Sequence, residues 1–306
     1  MTTMQPTPPD ISRSHLDSTV LTDMACPICR GNSLPAFEKY GYWIRSCQNC
    51  GHQFTQGAST VAHTQRVYGD DYFVGGGAGY PNYLAESKLL RNHGRRYGKT
   101  IQRHCQAGRV LDVGSAAGFI LQGLTDYGWQ GEGIEPNDAM ATHARQHLGL
   151  AVKTGALEQA SFEHTFDLIT FIQVLPHFFD LRRALTVAAS LTAPEGYWLI
   201  ETWNRRSLTA RLSGQSWHEY SPPSVLHWFS PTDVSLLGRE FGFRTVAQGR
   251  PQKWINAAHA KSLLRYKLQE SPISRWMIPL LNLIPSGLNI PYPAEDLFWI
   301  LLKKVG

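Results

Sequence analysis

The chain has 306 residues, 42% of them hydrophobic, with 29 Lys and Arg against 24 Asp and Glu and a formal net charge of +5. This is enough apolar material for one sizeable core plus a small accessory module, and the slight basic excess permits an anionic substrate without demanding one. No apolar run approaches the ~20 residues needed to span a bilayer; Trp276 to Ile284 is short and broken by Pro279 and Asn282, so a soluble, cytoplasmic protein is expected.

Residues 1–20 carry Pro6, Pro8 and Pro9 among scattered polar residues. They have neither the basic start nor the apolar core of a signal peptide, and read as a disordered tail. Residues 21–60 hold four of the five cysteines in two tight pairs, Cys26-Pro27-Ile28-Cys29 and Cys47-Gln48-Asn49-Cys50. Two C-x2-C knuckles at this separation bring four thiolates to one tetrahedral ion, for which Zn2+ is the natural choice. Gly31 and Gly51 would ease the turn after each pair. A closed four-thiolate shell leaves no position for water or substrate, so the zinc reads as structural. Paired thiols also suit a reducing compartment, and Cys105 stands apart as a buried bystander.

A zinc ribbon can also hold RNA. Between Met1 and Thr60, however, Arg13, Arg30, Lys39 and Arg45 are balanced by Asp10, Asp17, Asp23 and Glu38, so the basic stripe that tracks phosphates is missing and nucleic acid is disfavoured as a partner. Phe37, Tyr40, Tyr42 and Trp43 are expected in the core of so small a unit.

Residues 61–108 read as a helical lid or linker. Tyr72, Phe73, Tyr80 and Tyr83 surround Gly75, Gly76, Gly77 and Gly79, and a helix from Tyr83 to His104 carries Arg91, Arg95, Arg96, Lys99 and Arg103 on a solvated face. From Arg109 the chain becomes most informative. Val110, Leu111 and Val113 form a buried strand, Gly114 allows a tight turn, and Gly118 opens an amphipathic helix through Phe119, Ile120, Leu121 and Leu124. The next apolar run, Gly131 to Ile134, ends in Glu135, where a Rossmann-like unit places a carboxylate for ribose hydroxyls. Ala116 occupies the second glycine of a dinucleotide fingerprint, and Asp112 sits two residues before Gly114. An acid there repels a pyrophosphate but attracts the ammonium and sulfonium of S-adenosylmethionine (SAM), so the turn favours SAM.

Further along, Asp138 to Leu148 reads as a helix capped by Asn137 or Asp138, Ala151 to Lys153 as a strand, Phe166 to Phe171 as a strand, Asp180 to Leu191 as a helix, and Tyr197 to Glu201 as a strand after the turn Pro194-Glu195-Gly196. Pro231 to Phe241 reads as a helix, with strands at Phe243 to Ala247 and Asp296 to Lys303.

V-L-D-V-G-S-A-A-G-F, G-E-G-I-E-P, F-D-L-I-T-F-I-Q-V-L-P-H and P-E-G-Y-W-L-I-E-T, in this order, resemble the class I SAM-dependent methyltransferases, in particular the bacterial branch with a small N-terminal zinc ribbon. The resemblance runs from about Cys26 to Lys303. It implies an α/β, Rossmann-like, seven-stranded sheet over residues 109–306 with insertions at about 203–230 and 250–292, and a lid before the first strand. It assigns the cofactor to Asp112, Gly114, Ser115, Ala116, Gly118, Glu135, Pro136, Gly155, Ala156, Leu157, Gln173 and Val174, and structural zinc to Cys26, Cys29, Cys47 and Cys50. Relatives often read E-V-L-E-H where this chain reads Gln173-Val174-Leu175-Pro176-His177; the loss of both acids argues against a catalytic magnesium. His177 and, in the 203–230 insertion, His227 are the candidate bases.

That insertion also holds Arg205, Arg206, Arg211, Trp217, His218, Glu219, Tyr220, Trp228 and Phe229, which the resemblance places at the pocket mouth and which suit a planar or glycosidic acceptor. Residues 253–290 mix Lys261, Arg265, Lys267 and Arg275 with Trp276, Met277 and Ile278. Contact with a membrane surface is compatible with this composition, but Pro279 and Pro285 oppose a long amphipathic helix, and a core or dimer helix is the plainer reading. The expected activity is methyl transfer, at oxygen, to a small-molecule or glycan acceptor by a monomer or homodimer. RNA methylation, or a non-catalytic interaction module, are the alternatives.

Overall fold

A computed structural model describes residues 24–56, 73, 82–257, 261, 285, 288–292 and 294–305. The expected tail, the glycines of the lid with Tyr72 and Tyr80, and the Trp276 to Ile284 segment lie outside the described residues.

The N-terminal unit is an antiparallel meander of β1 (Met24–Ala25), β2 (Asn32–Lys39), β3 (Tyr42–Cys47) and β4 (Gln53–Thr55). Lys39 pairs with Tyr42, leaving Tyr40 and Gly41 as a two-residue turn with φ 50 and 82, the left-handed pair that matches strand twist. A 3-10 turn at Leu84–Glu86 leads into α1 (Ser87–Ile101), followed by β5 (Arg109–Val113), α2 (Phe119–Thr125), β6 (Gln130–Glu135), α3 (Asp138–Leu148), β7 (Ala151–Thr154), β8 (Phe166–Ile172), α4 (Leu181–Leu191), β9 (Thr192–Trp203), α5 (Leu208–Ser213), β10 (His227–Trp228), α6 (Pro231–Glu240), β11 (Phe243–Gly249), β12 (Lys253–Asn256), β13 (Asn289–Tyr292) and β14 (Leu297–Lys304).

The expected seven-stranded sheet is present, in the order β11-β14-β9-β8-β5-β6-β7, with β5 to β9 parallel and β14 antiparallel to both of its neighbours. The turn read at Pro194-Glu195-Gly196 falls inside β9 as a bulge, since Phe166 pairs with Thr192 and Leu168 with Tyr197. Helices cover both faces, which is why β8 and the later part of β9 are almost continuously buried. On one face α1 and α2 approach so closely that a Cβ on Gly94 would lie 2.1 Å from the Ile120 carbonyl oxygen. Asn137 caps α3 by accepting the Met140 N–H at 2.9 Å, and Ser230 and Asp233 form a capping box on α6. The chain order reverses beside β5, whose neighbours are β6 and β8. In open α/β sheets this switch point is where ligands lie, beyond the carboxyl ends of the strands.

The N-terminal unit is joined to the large sheet's domain through shared structure. β10, from the 203–230 insertion, pairs antiparallel with β4, His227 opposite Phe54 and Trp228 opposite Gln53, and so becomes the fifth strand of the small sheet. Cys26, Ile28, Cys47 and Phe54 belong to the same apolar cluster as Phe178, Leu181, Phe229 and Val234. Arg182 on α4 donates to the carbonyls of Pro27 and Ile28. Trp217, Tyr220 and Trp228 pack with Ile44 in a second cluster; these aromatics, together with Phe229, are interior, so their bulk fixes the insertion against the small sheet.

Candidate cofactor site and four-cysteine centre

At the switch point, Gly114 has φ 65, and a Cβ there would meet Val174 Cγ2 at 2.5 Å. Glycine is required both for the turn and for the approach of the loop after β8. Ala116 holds φ 45, a left-handed conformation that costs a non-glycine residue energy and recurs at functional sites. Glu135, 4% exposed, accepts the Ala116 N–H at 2.9 Å through one oxygen and the Asn137 N–H at 2.8 Å through the other. It therefore ties the β5–α2 turn to the β6–α3 turn, with lone pairs left for hydroxyl donors. Burial pushes Glu135 up to about 7, against the two amides that pull it down. Asp112, which accepts from the Thr170 hydroxyl at 2.6 Å, is likewise pushed up by burial to about 7. Ser115 Oγ is buried without a hydrogen-bond partner among the described residues. Gly155 donates its N–H to the Glu135 carbonyl at 2.9 Å, setting Gly155, Ala156 and the buried Leu157 beside this edge, while Pro136 links Glu135 to the cap of α3. Two buried acids, an orphaned hydroxyl and a cradle that a side chain would fill fit a ligand with hydroxyls and cationic groups, as SAM has.

Gln173 and Val174 follow β8 at the same edge. Gln173 has φ 60; its N–H donates to the Glu201 carbonyl at 2.9 Å and its side-chain Nε2 to Glu201 Oε1 at 2.8 Å. Glu201 is 1% exposed. It also accepts from His93 Nε2 at 2.7 Å and from the Tyr97 hydroxyl, and Arg96 Nη2 lies 3.1 Å from His93 Nδ1. Tyr97 is held well above its usual range by burial, reinforced by the Glu201 charge. Sequence reasoning missed Glu201, His93 and Tyr97; a single acid at the end of an apolar strand, in a chain whose α1 face looked merely basic, was the only signal.

The two candidate bases lie in different surroundings. His177 directs Nδ1 at the Ser224 carbonyl, 2.7 Å away; burial lowers its pKa, while the carbonyls of Ser224 and Gln173 oppose that shift. His227 is buried at the junction with the small sheet, where Nε2 lies 3.2 Å from the Phe178 carbonyl and the ring stacks on His52 at 5.8 Å. Burial, helped by His52, pulls His227 down to about 3. Arg205 pairs with Asp233 at 3.1 Å, and Arg206 donates to the Cys50 carbonyl, so both arginines serve the junction.

The four cysteine sulfurs all lie within 4.8 Å of one another, Cys26 to Cys50 at 3.7 Å and Cys29 to Cys47 at 3.4 Å. Zn–S bonds of ~2.3 Å in a tetrahedron require S–S edges of about 3.8 Å, so the set fits zinc. The knuckles are equivalent: Arg30 donates its N–H to the Cys26 carbonyl and Gly51 to that of Cys47, and both take left-handed φ, 59 and 74. The turn therefore falls on Arg30 where Gly31 was expected to ease it; Gly31 instead admits Asn49, whose Nδ2 would lie 2.5 Å from a Cβ. Burial raises Cys26 far above the usual thiol range and Cys50 to about 12, whereas amide N–H groups of Cys50 and Asn49 overcome the upward pull of burial on Cys47 and bring it to about 7. Four thiols clustered at this spacing match the donor set of a four-coordinate metal ion.

The seven-stranded order, together with a glycine turn backed by acids at the switch point, is that of the class I SAM-dependent methyltransferases. A family model described as a methyltransferase domain matches residues 85–248, more than half of the chain, and the chain belongs to that family. Among curated relatives, the ubiquinone biosynthesis O-methyltransferase of Bradyrhizobium diazoefficiens is 28% identical over 171 residues, 54% of this chain and 58% of the relative. The protein of that name from Rhodopseudomonas palustris strain BisB5 is 32% identical over 154 residues, 48% of this chain and 52% of its own. The chain thus spans somewhat over half the length of these relatives. A solved protein of Bacillus halodurans C-125 assigned as a methyltransferase shares the fold, with a TM-score of 0.51 at 13% identity, over 69% of this chain and 99% of that one. Among the described residues, no helix is long and apolar enough to cross a membrane.

Proposed function

We propose that this protein transfers a methyl group from SAM to an oxygen of a small-molecule or glycan acceptor, with structural zinc in the four-cysteine centre. The observation that carries the reading is the β5 turn: Gly114, the Ser115 hydroxyl, Asp112 and the Glu135 clamp form a site that rewards hydroxyls and positive charge and penalises a pyrophosphate. When bound, SAM supplies an activated methyl on a sulfonium. The protein's part is to hold donor and acceptor in line and to take the acceptor's proton. Asp112, Ser115 and Glu135 would hold the cofactor's cationic and ribose groups; Gly155, Ala156 and Leu157 would meet the adenine through backbone groups.

His177 is the residue assigned to proton removal. Donating Nδ1–H to the Ser224 carbonyl fixes the orientation of the ring beside the cofactor edge. His227 is kept as the second candidate, with the junction as its evident place of work. The relatives' names support oxygen as the methylated atom. RNA has no specific support, because Arg45, one of the few basic residues of the ribbon, is fully buried and donates to Ser33 and Gln56.

Calorimetric titration of SAM and of S-adenosylhomocysteine (SAH) into purified protein tests the reading. Saturable binding of both is expected, after which phenols, sugars and carboxylic acids are assayed for methylation. Binding of neither would refute the cofactor assignment.

A further inference from the structure

The Glu201 network has a directionality that reaches the cofactor edge. A guanidinium only donates, so in the contact of Arg96 with His93 Nδ1 is the acceptor, and the ring's proton is assigned to Nε2, which donates to Glu201 Oε2. Tyr97 donates to the same oxygen. Oε1 accepts from Gln173 Nε2. The Gln173 amide therefore turns its nitrogen towards Glu201 and its oxygen away from it. Among the described residues Gln173 Oε1 has no partner. The left-handed backbone at Gln173 and its N–H bond to the Glu201 carbonyl fix the residue from the other side. Val174, next in the chain, presses on the Gly114 turn, so this amide stands at the edge where SAM is placed.

We propose that Glu201 is a positioning residue that locks the Gln173 amide so that its oxygen, and never its NH2, meets the cationic methionine end of SAM. The proposal rests on the SAM reading above. Glu201→Gln is nearly isosteric and tests it directly. Its new amide oxygen must serve His93 and Tyr97, so its NH2 confronts the NH2 of Gln173. The cheapest relief is a flip of Gln173, which presents a donor to a cation.

In titrations with SAM and SAH, Glu201→Gln and Gln173→Leu are each expected to weaken SAM binding by about tenfold. The double substitution is expected to be no worse than the weaker single, since both remove one interaction. The exchanged pair, Gln173→Glu with Glu201→Gln, again opposes one donor to one acceptor and presents an oxygen outwards, and should recover most of the affinity; a generally damaged fold would not. Equal losses for SAM and SAH assign the ammonium, which both carry, and a loss confined to SAM assigns the sulfonium. Wild-type SAM affinity in either single variant, or losses that add in the double, would overturn the proposal. Should Glu201→Gln fail to fold, Gln173→Leu at its half-buried position decides alone by the same criterion. Absence of SAM and SAH binding to the wild type would instead refute the cofactor reading on which the proposal rests.

Discussion

Asp112 and Glu135 sit where burial favours their neutral forms, at about 7 in both cases, yet the proposed ligand is a cation. The two demands pull in opposite directions with pH. Because the folded state holds these protons more tightly than the unfolded chain, stability without ligand should fall as pH climbs from the ordinary carboxylate range towards 7 and then level off. SAM affinity should do the reverse, rising through the same range as the acids ionise. Titrations on either side of neutrality, in buffers of different ionisation enthalpy, should show proton release on binding at the acidic end. Asp112→Asn should weaken binding at high pH and flatten the Asp112 share of the profile; an unchanged profile would remove Asp112 from the cofactor's surroundings. These residues were legible in the sequence because their signal is local: a strand, a glycine turn, and one acid at the end of the next strand. Glu201 was not, because its donors His93 and Tyr97 lie 108 and 104 residues away, and no spacing rule links them.

At the scale of elements, the regular helices and strands of the sheet followed from apolar periodicity and caps, with boundaries displaced by a few residues. β9, read from Tyr197, begins at Thr192 because a bulge absorbs the turn residues. β10 could not be read, since two residues carry no periodicity and its partner β4 is remote in sequence. The tight crossing of α1 on α2 was also hidden, because a glycine inside a helical run carries no sign of what packs against it. A side chain there meets the Ile120 carbonyl at 2.1 Å and Gly123 Cα at 3.0 Å, both backbone atoms that cannot swing aside. Gly94→Ala should therefore destabilise the protein by about 1–3 kcal/mol despite alanine's better helix propensity. Denaturant unfolding checks this; a neutral or stabilising effect would mean that the two helices separate easily.

For the molecule as a whole, the small sheet and the large domain share a strand, an apolar cluster and the Arg182 and Arg206 bonds to the knuckles. Removing the proposed zinc should therefore be felt beyond the ribbon. Calorimetric melting of the metal-loaded protein is expected to give one transition that moves to lower temperature when a chelator is added. A separate low-temperature transition, with the remaining domain melting unchanged, would show that the ribbon unfolds by itself.

The pairing of β4 with β10 has a temporal side. Thr55 bonds to Leu226, 171 positions along the chain, so on the ribosome the four cysteines are complete long before the strand that closes their sheet has been made. During that interval β4 presents an open edge, the kind of surface that recruits stray strands. Early capture of metal would shape the knuckles but leave that edge bare until residues 227–228 emerge. Nascent chains halted before Trp228 should consequently be prone to aggregate even when metal is abundant.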